Sequence, residues 1–157
     1  MAYAQEIRLD ALPDDADPRI DALLETWKSA CLHNKVPWRR DLGVDILAPW
    51  IDDISIYEYL PRSHDFKIRV DARNIIEASG ESYLGGSPRE IDLNYGTNVF
   101  GNLCEVMASG TPRFHMIGVD REGWEFWLRL MLPVKTSSRD IAEIDQIFVC
   151  HFPYRQG

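Results

Sequence analysis

Long apolar runs are missing from this chain: none of its 157 residues lies in a stretch approaching the roughly 18 consecutive apolar residues of a membrane span. Cysteine is scarce. Cys31, Cys104 and Cys150 form an odd, scattered set with no CxxC pair, so neither a zinc site nor a redox dithiol is suggested. Reduced, mostly buried thiols are the expectation. Positive charge is in deficit. A net charge of −8 argues against nucleic acid, whose phosphates need a basic face, and against an anionic membrane surface. Internal repeats and low-complexity segments are absent. The opening "MAYAQEIRLD" lacks both the basic start and the apolar stretch of a signal peptide, and a cytoplasmic location is expected.

What is present is enough to build a core. Hydrophobic residues make up 45% and aromatic residues 11%. A chain of this length buries about 68–70% of the surface it exposes when unfolded, as one domain with no room for a separate effector module. Residues 1–16, acidic and interrupted by proline ("LPDDADP"), read as a flexible lead-in. A single domain over 17–152 follows, with an N-terminal helix over 17–34 and a core over 53–152. Residues 153–157 form a tail.

Asp17 can cap the first helix, and Pro18 suits its first position. Ile20, Leu23, Leu24, Trp27 and Cys31 recur at helical spacing as one apolar stripe. "PWRRDLGVDIL" at 37–47 crowds charges beside Trp38. It reads as a joint between helix and sheet, with Asp41 capping a short helix that Pro49 limits, rather than as an anion site. Ile54 to Leu60 and Phe66 to Val70 flank the turn "PRSHD" as a hairpin. A short helix over Ala72 to Ser79 closes at Gly80. "GESYLGGSPREIDLNYG" reads as irregular, and a longer helix spans about Tyr95 to Ser109 before Gly110. Three strands end the chain: "TPRFHMIGV", "WEFWLRLMLPV" and "IDQIFVCHF". "DREG" turns between the first two, and "KTSSRD" loops before the last. Phe126, Leu128, Leu130 and Leu132 fill one face of the middle strand, yet Trp127 and Met131 fill the other. Both faces of the sheet therefore need a cover, and the first helix or a second subunit can supply it. The elements add up to an antiparallel α+β sheet with helices on one side.

That element order resembles a PAS domain, and the residues resemble a group of stand-alone, mostly alphaproteobacterial PAS-like proteins. The pattern is a tryptophan-bearing helix, then Pro-x-Arg-x-Asp, an apolar helix with Leu-x-Pro, and a first strand. Here these are Trp27, Pro37, Arg39, Asp41, Ile46, Leu47, Pro49 and Ile54. "FKIRV", the glycine loop at Gly80, Leu84 and Gly85, and the strand end at Leu132 and Pro133 fit the same pattern. One departure is Asp71-Ala72-Arg73, where the family usually has a small residue followed by Gly-Thr. The resemblance implies a five-stranded antiparallel sheet with helices on one face and an N-terminal capping helix. It implies a non-catalytic sensory or regulatory domain that binds a small molecule, a protein partner in signal transduction, or both, and that forms a homodimer.

Tyr57, Tyr59, Tyr95, Phe100, Trp127 and Arg129 are the candidate ligand-lining residues, and Trp124 can join them at a ligand site or dimer face. Ile20, Leu23, Leu24 and Trp27 are the candidate dimer interface. Arg129, between aromatic strand positions, can pair with a carboxylate or lie over a tryptophan on a half-wet face. His33, His64, His115 and His151 are scattered, with no ligand spacing for a metal or a haem. "GNLCEV" around Cys104 lacks the Asn-Cys-Arg-Phe order of light-sensing flavin domains. No cofactor is assigned. A reading of another class takes the chain as a small isomerase or dehydratase, with Glu58 as a base on a buried face. Its competitor is a Glu58 that reaches solvent. A sheet order of 2-1-5-4-3 with Glu58 exposed favours the binding domain, and a deep pocket holding Glu58 beside an Asp or His favours the enzyme.

Overall fold

The computed structural model describes residues 3–136 and 144–155. Its first element corrects the sequence reading. Tyr3–Leu9 is a strand, β1, not a flexible lead-in. Alternation is present in this segment, but only one of its alternate positions, Ala4, is buried, so the pattern hardly registers as apolar.

Asp17 accepts from the Arg19 amide at 2.9 Å and Pro18 takes the first position of α1, Pro18–Cys31. Both expectations hold. Asp41 does not cap. It ends a 3-10 turn over Arg39–Asp41, and α2 (Val44–Leu47) starts after Gly43 with no side-chain cap. The segment is nonetheless a joint, made by backbone. Arg39 N–H donates to Lys135 O at 2.7 Å and Lys135 N–H to Pro37 O at 3.0 Å. The Lys135 ammonium lies 4.5 Å from the Trp38 ring centroid. A second joint is buried Asp53, which accepts from Arg19 at 2.7 Å and from Asn74 at 2.6 Å.

The expected hairpin forms as β2 (Ile54–Leu60) and β3 (Asp65–Val70), and α3 (Arg73–Ser79) ends at a left-handed Gly80. The stretch read as irregular holds a helix, α4 (Pro88–Tyr95), capped by Ser87 and closed at Gly96. Consequently the longer helix starts later, as α5 (Val99–Ser109), and two helices stand where one was expected. Asp92 joins them by accepting from the Val99 and Phe100 amides at 2.7 and 3.1 Å. The last strands are β4 (Arg113–Asp120), β5 (Trp124–Val134) and β6 (Gln146–Pro153). Most of the "KTSSRD" loop lies outside the described residues. Of the tail, Tyr154 is anchored: its N–H donates to Phe126 O at 2.9 Å.

Among the described residues the result is α+β: five α-helices around one six-stranded antiparallel sheet, ordered β1-β4-β5-β6-β2-β3. The sheet thus has one strand more than expected. Without β1, the other five lie in the order second, first, fifth, fourth, third.

Helices cover both faces, not one. On one face α1 and the segment after it pack against Ile54, Leu128, Leu130, Leu132, Phe148 and Cys150. Ile20, Leu23 and Trp27 are spent in this core, and Trp27 Nε1–H donates to Pro133 O at 2.9 Å. The stripe proposed as a dimer interface is therefore closed inside the chain, with only Leu24 partly open. On the other face α4 and α5 pack against Tyr57, Phe66, Ile68, Met131, Ile147 and Val149. Alternation on β5 explains the division, since its even-numbered positions point to α1 and its odd-numbered ones away. Among the described residues no helix is long and apolar enough to cross a membrane.

Candidate functional site

The face away from α1 is where the sheet turns polar. In register across three strands lie His115 (β4), Arg129 (β5) and His151 (β6). Each sits at an odd-numbered position, so all three project to the same side. Arg129 is only 2% exposed. Burying a guanidinium is costly unless it is paired and hydrogen-bonded, and Glu6 of β1 supplies the pair. The Glu6 carboxylate also accepts from the Asn98 N–H at the start of α5 and from Asn102 Nδ2 at 3.2 Å. Burial works to raise the Glu6 pKa. Arg129 and the Asn98 amide outweigh it and hold the carboxyl below its usual range.

Both histidines are kept uncharged. Burial first, then the Arg129 cation, pushes His115 down to about 4 and His151 down to about 3. Their Nδ1 atoms, and Arg129 Nε, are buried without a hydrogen-bond partner among the described residues. Three unpartnered polar atoms in one row are an uncommon concentration in a folded core.

Over Arg129 and His151, between the sheet and α3, α4 and α5, lies a cavity of about 100 Å³. Its floor includes Ser55, Tyr57, Trp127, Arg129, Val149 and His151, and its roof Ile75, Ile91, Tyr95 and Val99. Tyr57 is 4% exposed, and its hydroxyl makes no hydrogen bond among the described residues. Burial, then Asp71, pushes its phenol well above the ordinary range. Asp71, also on the cavity wall, accepts from the Tyr83 N–H at 2.9 Å and from Ser82 at 3.1 Å. At the mouth Glu81 accepts from Tyr83 Oη at 2.9 Å and from Tyr95 Oη at 3.3 Å. Arg121 pairs with Glu125 there. Burial raises Tyr83 to about 12.

Of the six residues read as ligand-lining, Tyr57, Tyr95, Trp127 and Arg129 line this cavity. Tyr59 and Phe100 do not. They flank Phe66, at 5.3 and 6.0 Å between ring centroids, as part of the α5-side core. Glu58 is also elsewhere: Arg69 holds it in a two-bond pair at 2.8 and 3.2 Å, partly open to solvent. The Arg69 hydrogen bonds keep its pKa below the usual carboxylate range, the reverse of a buried base. Trp124 stacks on Phe126 at 6.5 Å between centroids, both about half exposed, beside a surface groove with Met116 and Tyr154. Cys31 and Cys150 are buried, whereas Cys104 is exposed.

Glu6 was not singled out in the sequence, and His115 and His151 read there only as scattered histidines. Parity was the available signal for the histidines, because two antiparallel pairings across β4, β5 and β6 put His115, Arg129 and His151 on one face. Among the described residues, no three His, Cys, Asp or Glu side chains gather as a metal site. Comparison with protein-family models, with curated proteins and with solved structures gives no match.

Proposed function

We propose that this chain is a sensory or regulatory domain of the PAS type, which binds a small molecule and reports its presence to a signalling protein without catalysis of its own. The observation that carries the reading is the cavity over the sheet, with Tyr57 and Arg129 buried at its floor and, among the described residues, no partner for the Tyr57 hydroxyl or for Arg129 Nε. A concave, mostly apolar space with a few converging polar groups is the usual form of a ligand site. The strand order supports the PAS part of the reading. The five strands after β1 follow the 2-1-5-4-3 order anticipated from the resemblance, and β1 is an addition at the β4 edge. The carboxylate on which an enzyme reading rests, Glu58, is paired with Arg69 and lies outside the cavity.

A ligand would act by binding one conformation of the α3–α5 cover better than another. Each tenfold preference shifts that equilibrium by about 1.4 kcal/mol. In this reading the protein works in the cytoplasm. The exposed Trp124 and Phe126 pair is the surface open to a partner or a second copy, since the α1 stripe is internal. Native mass spectrometry of the purified protein tests the reading. A small-molecule adduct that disappears on harsher activation is the expected result. A bare chain that also binds nothing from a fragment collection would remove the ligand from the proposal and leave an interaction domain.

A further inference from the structure

The charges around the cavity constrain what can enter it, and this inference rests on the ligand-binding reading above. Each charged group on its wall already holds a protein partner, an ion pair for the two arginines and hydrogen bonds from neutral groups for the two carboxylates. Arg129 pairs with Glu6, Arg121 pairs with Glu125, Asp71 accepts from Ser82 and the Tyr83 amide, and Glu81 accepts from two tyrosines. An entering carboxylate would compete with Glu6 for Arg129 and face Asp71 across a small space. An entering ammonium would meet Arg129, and Asp71 is already engaged. Either ion gives up its hydration without gaining a free partner, which is the expensive case for a buried charge.

His151 offers no escape for an anion. Burial and the neighbouring Arg129 keep it neutral, with a pKa near 3.

The polar groups left over are of a different kind. The Tyr57 hydroxyl has no partner among the described residues, and the Arg129 guanidinium, which can only donate, retains an unpartnered Nε. The His151 ring lines the space next to Arg129. Around them stand Ile75, Ile91, Val99, Val149 and Trp127. The size is also limiting: an engineered cavity of about 150 Å³ takes benzene, and this one is smaller.

We infer that the cavity receives a small uncharged molecule, an apolar body of about five or six heavy atoms ending in a carbonyl-type acceptor oxygen directed at the Tyr57 hydroxyl. The Tyr57 hydroxyl, which has no partner among the described residues, calls for an acceptor, and the lack of a free charge partner on the wall calls for neutrality.

The test titrates the full chain with 2-pentanone, butyramide, butyrate and pentylammonium, probes of equal heavy-atom count. NMR follows the Trp127 indole N–H and the His151 ring. The ketone and the amide should shift both signals and bind at least about tenfold more tightly than either ion. Tyr57→Phe, which removes a hydroxyl with no protein partner, should weaken the ketone several-fold and leave thermal stability nearly unchanged. Butyrate or pentylammonium binding as tightly as the ketone would overturn the uncharged class while the cavity remained a ligand site. Failure of all the probes to shift either signal would overturn the cavity as a ligand site as well. A Tyr57→Phe protein that bound the ketone unchanged would refute the assignment of the polar end.

Discussion

The two faces of the central strands differ more than their shared backbone suggests. Toward α1, β5 and β6 present Leu128, Leu130, Leu132, Phe148, Cys150 and Phe152, all essentially buried and all apolar. Toward α4 and α5 the same strands present Trp127, Arg129 and His151 among Met131, Ile147 and Val149. One face is a close-packed core whose contribution is stability. The other gives up apolar contacts for a polar row that must be paired, held neutral or left unsatisfied. Burying ionisable groups is destabilising unless something else is gained, so the α1 face carries the fold and the opposite face carries the site.

Acid should expose the contrast most strongly. The folded-state pKa values of His115 and His151 lie below the ordinary value of about 6.5, so the unfolded chain binds protons first as pH falls. Stability is then unaffected above about pH 6.5 and is lost below it, down through about 4 for His115 and about 3 for His151. Each histidine should cost about 3 kcal/mol by pH 4. Glu6 adds to the loss only lower, because its folded pKa is depressed and its contribution fails as pH drops through that value. Urea midpoints measured across this range should fall steeply in the native protein and more gently in His115→Phe and His151→Phe. A midpoint flat from pH 7 to 5 would mean that these rings are not held neutral by the fold.

Arg129→Met comes next. It strands Glu6 as a buried, unpaired carboxylate and should cost about 3–5 kcal/mol, whereas Glu6→Gln combined with Arg129→Met should recover much of that loss. The double-mutant cycle separates pairing from packing. On the dry face Leu130→Ala should cost about 2–5 kcal/mol by cavity formation alone, with no dependence on pH. If Leu130→Ala proved milder than the Arg129 and Glu6 double variant, the division of labour between the faces would be wrong.

Much of the dry face was legible in the sequence. Alternation along β5 and the stripe of α1 are regular and apolar, and the Asp17-Pro18 start is a local signal with a local cause. The hairpin β2–β3, and α3 with its glycine stop, were legible for the same reason. The site face was only partly so. Tyr57, Trp127 and Arg129 stand out by residue type, but what completes the row is pairing between strands far apart in the chain. Arg129 meets Glu6 across 123 positions, and no local pattern encodes that distance. Tyr59 and Phe100 show the converse. Aromatic residues near a site look alike in sequence, and only packing around Phe66 assigns these two to the core. α4 was missed although Ser87, Pro88 and Gly96 mark it, because the preceding glycines suggested that the whole stretch was loop.

The smallest effects test the two aspartates that sequence alone treats as equivalent caps. Asp17 accepts from the Arg19 amide at 2.9 Å at the head of the helix that covers the dry face, so Asp17→Ala should cost about 1 kcal/mol. Asp41 caps nothing: it ends a 3-10 turn, and its carboxylate makes no hydrogen bond among the described residues. Asp41→Ala should therefore stay within about 0.5 kcal/mol of the native protein in urea unfolding. The joint at residues 37–47 is held instead by main-chain bonds to Lys135 and by buried Leu42, neither of which the substitution touches. A loss at Asp41 as large as that at Asp17 would show that the joint depends on its side chains after all, and that the dry face is fixed from both ends by capping.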